Sequence, residues 1–337
     1  MRIVLILLLS ISAFSFGQRT DFKNVNFTKA DSIALIYKGG SLENLPILSH
    51  NLTKDLAQNV EKFRSIYTWV CTNIENDYSS YLRTSKKRKK LADDRDALLQ
   101  WNNDYLPKVF NKLVKERKTA CTGYAFLLRE LARLSNLNCV IIDGYGRTAS
   151  LNLNENSLPN HSWNAIKLNG KWYLCDPTWS AGRILLEENG ARFESDYYDG
   201  YFLADPQLFL KNHYPIDDKW ALTNNLPSFI NYIEGPIVYK EAFKPNIIPM
   251  SPEKMKIDVV KNQKVSFKLK HDENINNNTI YLLIDRGSGN KKTTPEITSN
   301  KEILTLEHTF TKTGIHDVHI AIDDVIIATY VLTVKRK

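Results

Sequence analysis

Three residues well separated along the chain, Cys121, His161 and Asp176, are of the types that together perform nucleophilic acyl chemistry. Cys121 follows the small-residue stretch Thr119-Ala120 and opens a segment with apolar residues at Tyr124, Ala125, Leu127, Leu128, Leu131, Ala132 and Leu134. Steps of three and four are the period of a helix with one buried face. A cysteine at a helix N-terminus meets unpaired backbone N–H groups and the positive end of the macrodipole, and both favour a thiolate. A nucleophilic thiolate still needs a base, and the base needs a group to orient it.

A hairpin downstream brings two such groups together. Asn169-Gly170 separates the alternating runs His161–Leu168 and Lys171–Cys175, a strong short-range signal for a two-residue turn. In that register Leu168 faces Lys171, and residue 178 would face His161. Asp176 lies two residues before 178, on the same face of its strand, which makes it a diagonal neighbour of His161. A carboxylate there accepts from one ring nitrogen and leaves the other for a thiol.

Cys-x-Gly-Tyr-Ala opening a helix, His-x-Trp on a strand and a hairpin ending in Asp-Pro-Thr-Trp resemble the transglutaminase-like superfamily of papain-type cysteine enzymes. The segments Asp199-Gly200-Tyr201-Phe202-Leu203-Ala204-Asp205-Pro206 and His213-Tyr214-Pro215-Ile216-Asp217-Asp218-Lys219-Trp220 are similar to its kyphoscoliosis-peptidase branch. The resemblance covers roughly residues 54 to 225. It implies Cys121 as nucleophile, His161 as base and acid, and Asp176 as orienter. It also implies that an upstream aromatic helps hold the oxyanion, with Trp69, Tyr78 and Trp101 as candidates beside the backbone N–H of Cys121. The implied activity is a peptidase or amidase working through a thioester on a protein or peptide substrate. Protein cross-linking by transamidation is an alternative, and a non-catalytic adhesion or scaffold protein of the same fold is another.

The elements that must position these residues are legible in outline. The implied fold is α+β: a nucleophile helix packed on an antiparallel sheet, followed by a small all-β immunoglobulin-like sandwich. Residues 1–17 carry Met1-Arg2, an apolar run from Ile3 to Phe16 and Gly17, the pattern of a signal peptide too short to span a bilayer comfortably. Export to a periplasmic or extracellular space, without stable membrane insertion, is the corresponding expectation. Residues 18–53 read as an N-terminal arm, with an extended stretch from Leu42 to Leu48. Residues 54–245 read as the catalytic domain. In it, Phe63, Ile66, Tyr67, Val70 and Ile74 mark a helix, and Asp94 to Lys115 reads as another, broken near Pro107. Residues 246–337 alternate with a strand period at Val265–Lys270, Thr279–Ile284, Ile303–Phe310, Asp317–Ile322 and Val325–Val334, the spacing of a sandwich. Pro227, Pro236, Pro245, Pro249 and Pro252 punctuate a linker or an extended edge before it.

Charge and cysteine content narrow the functional classes. The 337-residue chain carries a formal charge of +8, which permits acidic partners without requiring them. The run Lys86-Lys87-Arg88-Lys89-Lys90 reads as a solvated helix face or loop, and no nucleic-acid-binding signature accompanies it. The four cysteines, Cys71, Cys121, Cys139 and Cys175, lack CxxC and zinc spacings. The expectation is no metal, no cofactor and no obligatory disulfide. The oligomeric state has no sequence signal.

Overall fold

A computed structural model describes residues 18–91, 93–188, 190–271, 279–287 and 289–337. The expected signal peptide, residues 1–17, lies outside the described residues. The chain begins with helices α1 (Thr28–Ile36), α2 (Leu45–Thr53) and α3 (Asn59–Asn73), then strand β1 (Glu75–Asn76) and helices α4 (Tyr78–Lys90) and α5 (Arg95–Glu116). Strand β2 (Lys118–Thr119) leads into helix α6 (Cys121–Leu134). Next come β3 (Asn138–Gly146), β4 (His161–Leu168), β5 (Lys171–Cys175) and the short helix α7 (Pro177–Ala181). The hairpin β6 (Gly182–Glu187) and β7 (Gly190–Ser195), helix α8 (Pro206–Phe209) and strand β8 (His213–Pro215) complete this half.

Two sequence expectations change here. Residues 42–48 are not an extended arm. They enter α2, where Asn44 caps the helix by accepting from the Ile47 N–H and Pro46 sits in the first turn, positions that suit both residue types. Leu48 and Leu52 are buried in the same core as α3 and α6, so this segment is part of the helical layer. Nor does Pro107 break its helix, since α5 runs unbroken to Glu116. Pro107 lies on the exposed side, where water can take the carbonyl that the proline ring frees.

The central sheet runs β5-β4-β3-β8 and is antiparallel throughout. The Asn169-Gly170 turn sets the expected register, with Leu168 opposite Lys171 and Asn164 opposite Cys175. Period-two alternation assigns the two faces. Ile166, Leu168 and Tyr173 join the helical core with Tyr124, Leu128 and Leu131 of α6. Trp163, Ala165 and Leu174 join a second core that continues into the C-terminal sandwich. Fully burying a Leu or Phe side chain contributes about 1.5–3 kcal/mol, so each face is committed to its layer.

The proline-punctuated stretch forms edges as well as connections. Strand β9 (Ile237–Val238) pairs with the last strand of the chain, and β10 (Ile248–Ser251) opens one sheet of the sandwich. The remaining strands are β11 (Lys256–Val260), β12 (Lys264–Lys270), β13 (Ile280–Asp285), β14 (Lys291–Thr293), β15 (Glu296–Asn300), β16 (Ile303–Thr309), β17 (Gly314–Ile322) and β18 (Val325–Lys335). They form two sheets, ordered β10-β12-β16-β15 and β11-β18-β17-β13-β14. Asp323 and Asp324 both take positive φ in the turn joining β17 to β18, as a tight hairpin requires. The Phe267 and Tyr330 rings meet between the sheets, 5.0 Å apart.

Candidate active site

Cys121 is the first residue of α6. The approach to it is pinned by a short parallel pairing of β1 with β2, in which the Asp77 N–H donates to the Thr119 carbonyl over 2.9 Å. Gly123 is required one turn later, because a Cβ there would lie 1.9 Å from Thr119 Oγ1. From the sheet side, Asn164 of β4 donates its amide to the Ala125 carbonyl over 2.9 Å and to the Val140 carbonyl over 3.2 Å. Helix and sheet are thereby locked in register where the thiol emerges.

His161 begins β4 and Asp176 follows β5. His161 Nε2 lies 2.6 Å from Asp176 Oδ2. An ionised carboxylate only accepts, so His161 carries its proton on Nε2, and Nδ1 is left for the Cys121 thiol, with which the ring is in hydrogen-bond contact. The hairpin therefore delivers the diagonal contact that its register implies. Beyond Cys175 the chain leaves strand geometry. Residues 177–181 form α7, and Asp176 caps it.

Asp176 is fully buried and all of its acceptor capacity is used. Oδ1 takes the N–H groups of Thr178 at 2.7 Å and Trp179 at 3.1 Å. Oδ2 takes His161 and also His213 Nε2, at 2.9 Å. Its backbone carbonyl accepts from Tyr67 Oη of α3 at 2.8 Å. His213 in turn has Nδ1 2.6 Å from the Asn212 side chain and its ring stacked on Phe209 at 4.0 Å.

His213 is the group that residue-by-residue sequence reasoning passed over, although its segment was singled out. A signal for it exists in β3. Gly144 lies opposite His161, and Gly146 lies opposite His213. A Cβ at Gly146 would sit 3.1 Å from both the His161 Cβ and the Trp179 ring. Glycines inside a strand mark a close approach, and here they let two imidazole-bearing strands converge on one acid.

The four cysteines are all free, and only Cys121 is partly accessible. Burial pushes the Cys71 and Cys175 thiols well up and the Cys139 thiol to about 12. Burial opposes ionisation of Cys121 too, but its contact with His161 and the Ser162 backbone N–H outweigh that, and its pKa is lowered. Burial likewise disfavours the charged form of His161, yet the Asp176 carboxylate beside it and the thiol lift it to about 10. Burial would raise Asp176, and the two imidazoles instead hold it well below the usual carboxylate range. His213 is pushed down to about 4, chiefly by burial. Burial thus disfavours its charged form, and its Nε2–H donates to the Asp176 carboxylate.

Among the upstream aromatics, Trp69 is committed elsewhere, its indole N–H donating to the Tyr37 carbonyl at 2.7 Å. Trp101 stacks on Tyr105, and Tyr78 on Tyr81. Tyr81, not among the sequence candidates, feels the thiol: burial first and then Cys121 raise its pKa. Among the described residues, His161, Asp176 and His213 also have donor atoms all within 4.8 Å of one another, a geometry that could hold a metal ion. Both imidazoles present Nε2–H to the carboxylate, so a metal would have to displace those bonds.

This fold and constellation define a class of protein. Residues 47–177 match the transglutaminase-like superfamily, and the chain carries a domain of that superfamily on its kyphoscoliosis-peptidase side. The chain is 27% identical over 198 residues to the kyphoscoliosis peptidases of Mus musculus and Homo sapiens, covering 58% of this chain and 27% of theirs. It is 22% identical over 231 residues to hillarin of Drosophila melanogaster, covering 65% of this chain and 26% of that protein. The chain thus spans about a quarter of the length of the curated relatives it matches. Among solved structures it is similar to the Lin-41 filamin domain, over 31% of this chain and 99% of that one, with 11% identity and a TM-score of 0.23.

Proposed function

We propose that this protein is a cysteine-dependent acyl-transfer enzyme, a peptidase or amidase, with Cys121 as nucleophile, His161 as base and acid, and Asp176 as orienter. The observation that carries the proposal is the contrast among the cysteines: the one thiol in contact with an imidazole is also the one whose ionisation is favoured, and it belongs to the one cysteine that is not fully buried. The thiolate attacks an amide carbonyl carbon, forming the C–S bond and an oxyanion that backbone N–H groups at the start of α6 can receive. His161 gives its Nδ1 proton to the nitrogen as the C–N bond breaks, and the amine leaves. Water, deprotonated by His161, then attacks the thioester carbonyl. The C–O bond forms, the C–S bond breaks and the thiolate returns. An amine in place of water gives transamidation through the same thioester.

A thiol-reactive amide probe tests the reading. Labelling at Cys121 that disappears in His161→Ala is the expected result. Labelling of Cys121 no faster than of Cys71 or Cys139 would leave a scaffold protein. Release of ammonia with incorporation of an added amine separates transamidation from hydrolysis. Export is part of the same reading, motivated by the apolar run Ile3–Phe16. Its check is N-terminal sequencing of protein recovered outside the cytoplasm, with a start near Gln18 expected. Among the described residues no helix is long and apolar enough to cross a membrane.

A further inference from the structure

The basic run on α4 reads from sequence as a solvated face, and only part of it is. Lys87 and Arg88 are half-buried and line a cleft of about 610 Å³, whose other wall is α5. Arg83 of α4 and Lys108 of α5 line the same cleft. Among the described residues none of these four cations is in an ion pair. The other two lysines there are already engaged, Lys112 by Asp77 and Lys118 by Glu75. Asp77 is the carboxylate in the lining, and Lys112 neutralises it. The cleft therefore carries an uncompensated positive charge, which a concave low-dielectric wall concentrates.

Its location gives the charge a role. The cleft is also lined by Ala120, Thr122 and Gly123, the residues on either side of Cys121. Its volume lies in the range of ligand sites, about 300–1,000 Å³. Trp101 and Tyr105, stacked at 4.9 Å, supply an apolar surface for side-chain stems. Two guanidinium groups suit bidentate capture of carboxylates.

We propose that the acyl substrate is an acidic peptide, whose Asp and Glu side chains near the scissile amide are held by Arg83, Lys87, Arg88 and Lys108. The proposal rests on Cys121 as the acyl acceptor. An acidic peptide is the polyanion that also presents an acyl carbonyl to that sulfur, which a nucleic acid does not.

The test uses fluorescein-labelled peptides, identical except for several positions filled with Glu, Gln or Lys. Binding is read by anisotropy on the full chain carrying Cys121→Ala, so that peptides are held without turnover. The Glu peptide should bind about tenfold more tightly than the Gln peptide at low salt, and lose that advantage near 0.5 M NaCl. Charge reversal with Lys87→Glu and Lys108→Glu should invert the order in favour of the Lys peptide. Lys87→Gln with Lys108→Gln, a milder pair, should level it. Equal affinity for Glu and Gln peptides overturns the proposal, as does a Glu preference that survives charge reversal. A thymidine oligonucleotide that displaces the Glu peptide with higher affinity overturns the peptide assignment. Tight, salt-sensitive Glu-peptide binding with no labelling of wild-type Cys121 by the amide probe supports the charge preference and sinks the acyl-transfer reading alone.

Discussion

Cys121 lies between two unlike surroundings. On the sheet side, one buried carboxylate takes two imidazoles and two backbone N–H groups, and the charges there are paired in a dry setting. On the side of α4 and α5, Arg83, Lys87, Arg88 and Lys108 line an open cleft and, among the described residues, none of them is in an ion pair. Under the proposed acyl-transfer function, the difference teaches how two tasks of the site would be divided. Charge that must act on the reacting atoms is preorganised, because a low dielectric strengthens paired interactions and punishes unpaired ones. Charge that selects a ligand stays hydrated until the ligand arrives, at little cost to folding.

Four substitutions break or sharpen that contrast, in falling order of expected effect. Cys121→Ala should abolish the thioester and lower turnover by at least about a thousandfold, since members of such a set act as a unit. Mass spectrometry should find no acyl adduct and circular dichroism an unchanged fold. Turnover within tenfold of wild type would place the chemistry elsewhere.

Asp176→Asn comes next, keeping the shape and removing the charge. Turnover should fall on the order of a hundred- to ten-thousandfold, through lost control of the imidazole tautomer and lost support for the imidazolium. The pH profile carries the sign. In the wild type, activity should rise with pH as the lowered Cys121 thiol ionises, and fall as pH passes about 10 and His161 loses its proton. Burial already disfavours the imidazolium, so without the Asp176 charge the alkaline limb should move to lower pH. A limb that stays in place would show that Asp176 does not set the His161 protonation state.

His213→Phe tests a positioning residue that touches the acid and not the thiol. It leaves Asp176 Oδ2 with one donor fewer. It should cost about 1–3 kcal/mol in urea unfolding and lower kcat with little change in KM. The alkaline limb should shift in the same direction as with Asp176→Asn, by less. Loss of stability with an unmoved pH profile would reduce His213 to a packing role. At the bottom of the scale, Lys335→Ala breaks an exposed 2.6 Å pair with Asp258 and should change stability by no more than about 0.5 kcal/mol. A larger change would contradict the division between buried and hydrated charge.

Local signals were sufficient for the nucleophile helix and the β4-β5 hairpin. The α6 stripe and the Asn169-Gly170 turn are periodic or stereochemical features, and short-range physics reads them directly. The second imidazole was not legible in that way. His213 reaches Asp176 through the β3-β8 pairing, across a loop-rich segment with no period of its own, and only Gly144 and Gly146 hinted at the approach. Residues 42–48 misled for a related reason. A proline and mixed polarity suggest an extended arm, whereas an Asn44 cap and burial against α6 make a helix. The run at 86–90 reads as a solvated helix face or a loop, and neither says which cations of α4 turn toward a neighbouring wall.

The amino-acid order alone determined which side chains could do the chemistry, the helix that starts at Cys121, and the turn that sets His161 and Asp176 diagonally across a hairpin. These follow from backbone geometry acting over a few residues. Tertiary packing decided that the acid is shared by His213, that three thiols are held protonated by burial while ionisation of the fourth is favoured, and that a cationic cleft opens beside it. Those outcomes depend on desolvation and on charges brought together from distant segments, and neither exists until the layers close.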